Sequence, residues 1–388
     1  MESQQIKFSD DNNKVIFGFI VAGVLALVFG WIQDAKRTWI VFLLTNVYFV
    51  TLAVSALFFI ALQYITGSRW SIILRRVPEA ISRTIVPFSL SMLTVFFGAH
   101  SLYHWADEHE VQKDKLLQAK AGYLNVPFFF VRMAIILGLW VIFSKLFYRF
   151  SKKEDVHGGE LYHQKSVQVS VIFIIVFAVS ISISSFDWIM SLDPHWFSTI
   201  FAIYNFSGMF VNALAVITLV SILLLEMGKL PMLKEDHIHD LGKLIFAFTF
   251  FWAYIWYSQY VLIWYGNIPE ETVYYVDRSL YDWNWLFYFN FIVNFVIPFF
   301  VLLPRSMKRN SAMVKRVCIL LLVGRWLDLY VMVAPGVLHD HANIGLIEVF
   351  VALGFGGTFI LLLKKQLSKM PLVPFQSPYI EDSIHHHQ

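Results

Sequence analysis

Carboxylates and histidines lie within or beside long apolar segments of this 388-residue sequence, and their positions allow proton chemistry. The stretch "SSFDWIMSLDPHWFS", residues 184–198, places Asp187 at the end of an apolar run and His195 eight residues later. An ionisable side chain inside a bilayer costs about 2.5–3.5 kcal/mol, so each one is a functional hypothesis. We therefore expect Asp187, with His195, to belong to a cluster that takes up or releases protons. The alternative is that Asp193 and Pro194 make a simple turn.

A second group of polar residues follows helical spacing. Counted from His100, the other members of this group follow at three, four and seven positions, as Tyr103, His104 and Asp107. This spacing predicts that the four residues share one face of a helix. Histidine titrates near neutral pH, and a quinone headgroup needs hydrogen-bond partners at its two oxygens. This face is expected to serve as a quinol site or a proton exit path. The alternative is ordinary hydrogen bonding between helices.

Two further pairs are candidates for buried charge interactions. Arg325 and Asp328 are three residues apart on one predicted helix, either as a structural ion pair or as a carboxylate that exchanges protons beside a fixed cation. Arg132 and Glu348 lie at similar depths from the same predicted membrane face, so the sequence predicts that they pair.

The composition of the chain indicates the class of protein that holds these residues in position. Hydrophobic residues make up 58% of the chain and charged residues 15%, against about 25% charged in soluble domains, so an integral membrane protein is expected. The net charge of +3 does not indicate a nucleic-acid partner. A single cysteine, Cys318, excludes intrachain disulfides, CxxCH haem attachment and cysteine-ligated iron–sulfur or zinc sites. Outside the span of His100 and His104, the histidines fall in predicted loops, so no bis-histidine haem is expected.

Ten apolar segments are long enough to cross a bilayer core of about 30 Å. They lie near 15–33, 38–66, 81–105, 125–148, 167–190, 197–225, 241–265, 283–304, 314–334 and 344–363. Most basic residues fall in the segments that share one side, which predicts both termini in the cytoplasm. Tryptophans are expected to anchor the outer membrane interface: Trp105, Trp188, Trp196, Trp264, Trp283 and Trp285.

Weak matches at a fixed offset predict an internal repeat. The aligned pairs are Asn46 with Asn205, His100 with Gln259, Arg132 with Asn290, and Asp187 with Asp328. We therefore predict an all-α membrane protein in which spans 2–5 and spans 6–9 form two parallel four-helix bundles, flanked by spans 1 and 10. The corresponding divisions are 1–37, 38–190, 191–335 and 336–388.

Three longer stretches carry a resemblance to a known family. "SSFDWIMSLDPHWFSTIFAIYNFSG", "HDLGKLIFAFTFFWAYIWYSQYVLIWYGNIPEE" and "GRWLDLYVMVAPG" resemble the ActF subunits of bacterial alternative complex III, which are NrfD/PsrC-like membrane subunits. The resemblance covers essentially the whole chain, and the segment that ends in "WYGNIPEE" is its most specific part.

The resemblance implies a subunit of a quinol:cytochrome c (electron acceptor) oxidoreductase in the bacterial inner membrane, without a redox cofactor of its own. It implies a homologous ActC-like membrane partner, multihaem and monohaem c-type cytochrome subunits and an iron–sulfur subunit, with cytochrome c or a terminal oxidase as the electron acceptor. Haem c and the iron–sulfur clusters would belong to those partners, and menaquinol or another quinol would be the ligand. Quinone binding would involve the polar face of span 3 and Asp187.

Two other functions remain open. Ten helices with a repeat also suit a secondary transporter, although its repeats are often inverted and its helices broken near mid-membrane. The chain also suits the membrane anchor of another NrfD-type enzyme, such as polysulfide reductase. The proteins that accompany the chain would distinguish these functions.

Overall fold

The computed structural model describes residue 8 and residues 13–279, 281–338 and 344–387, and within these ranges the regular structure is entirely helical. Ten helical segments are long and apolar enough to cross a membrane, as the sequence predicts. We number them α1 (Asn13–Gln33), α2 (Ala35–Ile65), α3 (Arg76–Leu102), α4 (Val126–His157), α5 (Glu160–Leu192), α6 (Phe201–Glu226), α7 (Glu235–Gly266), α8 (Asn284–Leu302), α9 (Ser311–Leu338) and α10 (Leu346–Leu367). Each overlaps its predicted span.

Shorter helices join the ten segments. They are Trp70–Leu74, His104–Ala106, Glu108–Lys113, Lys115–Lys120, Pro269–Ser279, Tyr281–Trp283 and Arg305–Arg309, and a further short helix, Ile380–Ile384, lies in the C-terminal tail. Asparagine side chains begin two of the long helices: Asn125 Oδ1 accepts from the Phe128 amide, and Asn310 Oδ1 accepts from the Met313 amide. Gly158 and Gly159, with φ of 64° and 73°, provide the tight reversal between α4 and α5.

Four of the segments are interrupted: α5 at Ile189 and α9 at Ala334, both near their ends, and α8 and α3 within the span. In α8, the α-helix Asn284–Phe291 passes into a π-helical turn, Ile292–Val296, before Ile297–Leu302. Pro298 has no amide hydrogen to donate to the carbonyl of Asn294, which accounts for the irregular turn at this place. In α3, the α-helix breaks after Ser82 and resumes at Ile85. Further along, residues Thr94–Gly98 form a 3₁₀ helix.

The buried core centres on α2, whose apolar residues are almost all inaccessible to solvent. Segment α2 packs against α3, α5, α6, α9 and α10. Segments α2 to α5 contact one another in a closed ring of neighbours, and so do α6 to α9. The two polar ends of the molecule are called the Asp187 end, where α5 finishes, and the tail end, where α2 finishes and the C-terminal tail packs.

Segment α1 packs mainly against α10. A Cβ atom on Gly23 would lie 2.7 Å from Gly354 Cα, so glycines at both positions allow the two backbones to approach closely. The opposite side of α1 presents apolar side chains such as Phe17, Leu25 and Ile32, as expected of a lipid-facing helix.

Candidate functional site

Asp187 is buried in an ion pair with Arg132. The carboxylate is 1% exposed, and Arg132 Nε donates to its Oδ2 at 2.7 Å from the neighbouring segment α4. Arg132 Nη1 also donates to the carbonyl oxygen of Tyr123 at 3.0 Å. The Tyr123 side chain also interacts with the carboxylate, but no described residue donates to the other oxygen, Asp187 Oδ1, with normal hydrogen-bond geometry. Asp187 thus has a fixed cation on one side and an unused acceptor on the other.

Aromatic rings cover the guanidinium group of Arg132. Its Cζ lies 3.8 Å from the ring centre of Tyr123 and 4.3 Å from that of Phe128. Partial burial and then the negative charge of Asp187 raise the pKa of Tyr123, while the positive charge of Arg132 opposes the rise. The rings exclude water from the ion pair and so strengthen it.

The predicted pairing of Arg132 with Glu348 is wrong. Glu348 is fully buried at the start of α10 and accepts from Arg37 at 2.6 Å and 3.0 Å in a bidentate pair. Its Oε2 also accepts from the amide of Gly345 at 2.8 Å, which caps α10. Glu348 therefore joins α10 to the first turn of α2, and its polar contacts suit a structural role.

Asp328 lies in the second ring of helices and accepts hydrogen bonds from four side chains. Tyr204 Oη lies 2.5 Å and Asn290 Nδ2 3.0 Å from Oδ1, while Trp252 Nε1 lies 3.3 Å from Oδ2. Arg325 Nη1 also donates to Oδ2, so the predicted i, i+3 ion pair is present. These four donors occupy both oxygens of the Asp328 carboxylate.

A chain of hydrogen bonds leads from Asp328 toward α5. Arg325 Nη2 donates to Asn205 Oδ1, and Asn205 Nδ2 donates to Ser185 Oγ at 2.9 Å. Gly208 makes room for this network, because a Cβ atom there would lie 2.5 Å from Arg325 Nη1. The chain connects the two rings of helices through α6.

The helical face predicted for span 3 is wrong. The last α-helical turn ends at Leu102, and Tyr103 and Asp107 have extended backbones. Tyr103 turns inward and donates to the carbonyl oxygen of Trp188 at 3.0 Å. Asp107 is exposed and caps the helix Glu108–Lys113 through the amide of His109. His100 and His104 are exposed, so these four residues do not line one helical surface.

His195 and His104 share a surface cleft of about 360 Å³ at the Asp187 end. His195 Nε2 lies 2.8 Å from Asp114 Oδ2. The backbone turns at Asp193, whose carbonyl accepts from the amide of Trp196 at 3.2 Å, as the simpler alternative predicts. His100 is not among the described residues that line this cleft.

Several tryptophans expected at the membrane interface are instead part of the core. Trp105, Trp188, Trp196 and Trp283 are at most 3% exposed, whereas Trp264 and Trp285 are exposed as anchors would be. Trp196 donates to the carbonyl of Glu271 and stacks on Tyr274, with ring centres 4.1 Å apart. Trp196 therefore joins the loop between α5 and α6 to the short helix Pro269–Ser279.

A buried ionic network at the tail end was not predicted. Arg75 Nη1 lies 3.2 Å from Glu154 Oε1, and Arg76 Nη1 lies 2.6 Å from Glu79 Oε2. Ser151 Oγ donates to the other oxygen of Glu79 at 2.6 Å. The Arg-Arg-x-x-Glu spacing in "RRVPE" could have predicted these ion pairs. Basic residues in a loop beside a span are usually solvated, so the spacing alone did not indicate that the pairs are buried.

The described residues contain no group of three or more His, Cys, Asp or Glu side chains able to hold a metal ion. Cys318 is buried in α9.

No family model matches the chain, and no curated protein matches it. The site must therefore be interpreted from its own residues and from the resemblance of the three stretches.

Proposed function

We propose that this chain is a membrane subunit of a quinol:electron acceptor oxidoreductase in the bacterial inner membrane, with both termini in the cytoplasm and no redox cofactor of its own. The partners in this proposal are an ActC-like membrane subunit, c-type cytochrome subunits and an iron–sulfur subunit. The three family-like stretches support it, as do ten apolar helices and a composition unsuited to a soluble enzyme.

We also propose that α2–α5 and α6–α9 are two copies of one bundle in parallel orientation. The observation that best supports this is the equivalence of two hydrogen bonds. Arg132 of α4 donates to Asp187 of α5, and Asn290 of α8 donates to Asp328 of α9. The sequence alignment pairs these donors with each other and these acceptors with each other, and the two rings of helix contacts match in order.

The two carboxylates differ in their capacity for proton transfer. Asp328 is satisfied by four donors, so protonating it would break an established network. Asp187 has one charged partner and a free acceptor oxygen among the described residues. We assign the proton-handling role to Asp187 and a structural role to Asp328.

In this mechanism a quinol releases two electrons and two protons as it becomes a quinone. The electrons pass to the redox centres of partner subunits. Asp187 Oδ1 accepts the first proton and passes it on before it accepts the second, and Arg132 stabilises the carboxylate each time a proton leaves. The cleft that contains His104 and His195 lies at the same end of the molecule and offers titratable groups for release to the aqueous phase.

Isolation from native membranes tests the proposal. The tagged chain is solubilised in mild detergent, and the copurifying proteins are identified by mass spectrometry while reduced-minus-oxidised spectra are recorded. We expect c-type haem absorbance together with an iron–sulfur subunit and a second multi-pass subunit. A colourless protein without these partners would overturn the proposal and favour a transporter. A different outer catalytic subunit would indicate another NrfD-type enzyme.

A further inference from the structure

A cavity of about 130 Å³ lies at the tail end, far along α2 from the Asp187 site. Its walls come from the end of α2, from the loop and short helix that follow it, from His163 of α5 and from Tyr379 of the C-terminal tail. We call this space the tail cavity. No residue proposed for quinol or proton chemistry is among the described residues that line it, so its role is separate.

Unpaired hydrogen-bonding groups, among them the donor Arg75 Nη2, surround the tail cavity. Arg75 is 7% exposed, and its Nη1 lies 3.2 Å from both oxygens of Glu154, but its Nη2 has no partner among the described residues. Ser68 Oγ and His163 Nδ1 are likewise buried without a partner in the described part of the chain. A buried donor without an acceptor destabilises the fold, so a ligand rich in acceptor oxygens would be stabilised by filling the cavity.

The charges around the tail cavity favour an anion with a single negative charge. The charged lining residues that the structure describes, Arg69 and Arg75, are both cations, and no described acidic residue lines the space. Glu154 lies against Arg75, and Asp382 pairs with Arg69 at the surface at 2.6 Å. Arginine recognises phosphate oxygens through its fork of donors. A phosphodiester carries one negative charge, so it would meet less repulsion from these carboxylates than a phosphate dianion would.

The other wall of the tail cavity is apolar. Phe59 and Ile60 line it from α2, and Ile72 lines it from the short helix Trp70–Leu74. Phe59 lies six residues before the end of α2 at Ile65, which is about 9 Å along the helix axis and therefore toward the apolar part of the span. A ligand that matches both walls has an anionic headgroup and an apolar body.

We propose that the tail cavity binds the phosphodiester headgroup of a membrane phospholipid. The phosphate contacts Arg75, Arg69 and Ser68, and the glycerol end lies against Phe59 and Ile60. The volume holds the phosphate and its neighbouring carbons, while the acyl chains extend out of the opening. The bound lipid would join α2 to α5 and to the C-terminal tail.

The test uses the full chain, purified in detergent and stripped of lipid. Phosphatidylglycerol, phosphatidylethanolamine, diacylglycerol with the same chains, and inorganic phosphate are added separately. Native mass spectrometry counts the bound molecules, and the shift of the thermal unfolding midpoint gives the apparent affinity. We expect both phospholipids to bind and stabilise, and diacylglycerol and inorganic phosphate to do neither.

Three variants locate the site. Arg75→Lys keeps a positive charge beside Glu154 but removes Nη2, and Arg69→Gln removes the second cation. Each is expected to weaken phospholipid binding roughly tenfold, the value of one charge-assisted hydrogen bond. Lys315→Gln is the control, because it removes a surface cation that pairs with Glu226 and is not among the described residues that line the tail cavity, so it should bind as the wild type does.

Each contrary outcome overturns the proposal. Equal binding of diacylglycerol would show that the phosphate is not recognised, and stabilisation by inorganic phosphate alone would assign the site to a soluble anion. Wild-type affinity in both arginine variants would place the lipid elsewhere. If Arg75→Lys does not fold, Ser68→Ala with Arg69→Gln decides, since Ser68 Oγ makes no bond with the described residues whose loss would matter.

Discussion

Arg132 and Asp187 face each other across α4 and α5, with 2.7 Å between Nε and Oδ2, and no described residue donates to the second oxygen of Asp187 with normal hydrogen-bond geometry. Arg325 and Asp328 lie instead on one helix, where three further side chains donate to the carboxylate. The two ion pairs therefore differ in kind, because one keeps a proton-accepting atom and the other has none to spare.

Asp187→Asn is expected to reduce quinol oxidation by the assembled complex about 10²-fold or more, because an amide oxygen cannot serve as the base. The measurement is steady-state turnover of purified complex with a quinol and an electron acceptor. Ser182→Ala on the same segment is the control, since Ser182 bonds only to the carbonyl of Ala178 among the described residues. Normal turnover in a normally assembled Asp187→Asn complex would rule out the proton role.

Asp328→Asn is expected to lower the free energy of unfolding by about 3–5 kcal/mol, since it leaves the buried charge of Arg325 without its counter-ion. The thermal midpoint of the detergent-solubilised chain measures the loss. Adding Arg325→Met to Asp328→Asn should recover much of the stability. A single variant as stable as the wild type would contradict a structural role for Asp328.

Gly208→Ala is expected to cost about 1–3 kcal/mol of unfolding free energy, because the new methyl group would lie 2.5 Å from Arg325 Nη1. Gly138→Ala is the matched control in α4, where a Cβ atom meets no described atom within 4 Å. The control should be neutral or slightly stabilising through helix propensity. Equal effects of the two substitutions would show that the network tolerates displacement.

Gly354→Val is expected to separate α1 from α10, because the side chain would overlap the backbone of Gly23. Gly356→Val adds the same side chain to the same helix at a position where a Cβ atom has no described neighbour within 4 Å. Cross-linking between cysteines placed on α1 and α10 would measure the separation. The expected result is a loss of cross-linking with Gly354→Val alone, and equal cross-linking in both variants would argue against close backbone packing.

The ten helices were predictable because a bilayer requires long uninterrupted apolar runs, and such runs are visible in the sequence. The π-helical turn at Ile292–Val296 and the end of the α3 helix at Leu102 were not predictable. Apolar residues suit either backbone, so composition does not reveal a change of helical pitch. The predicted face of His100, Tyr103, His104 and Asp107 failed because the α-helix ends at Leu102 and the backbone is extended at Tyr103, a helix end that the three-and-four spacing does not reveal.

The partners of the buried charges were only partly predictable. Arg325 and Asp328 are neighbours on one helix, so their spacing was sufficient. Arg132 and Glu348 were expected to form an ion pair because they lie at similar predicted depths in the membrane. Depth does not specify which helices are adjacent. The packing of α4 against α5 brings Arg132 to Asp187, and the packing of α2 against α10 brings Arg37 to Glu348.

The contact between Gly23 and Gly354 has a consequence for biosynthesis. Ribosomes add about 5–20 residues per second, so the 331 residues that separate these glycines in the sequence take roughly 20–70 s to make. During that time α1 has no α10 to pack against. Its sequence is apolar on nearly every side, and among the described residues its contacts with α10 include the close approach of two glycine backbones, while α2, made directly after it, is its early neighbour. Before α10 is inserted, the surface of α1 that later packs against α10 can therefore remain in contact with lipid.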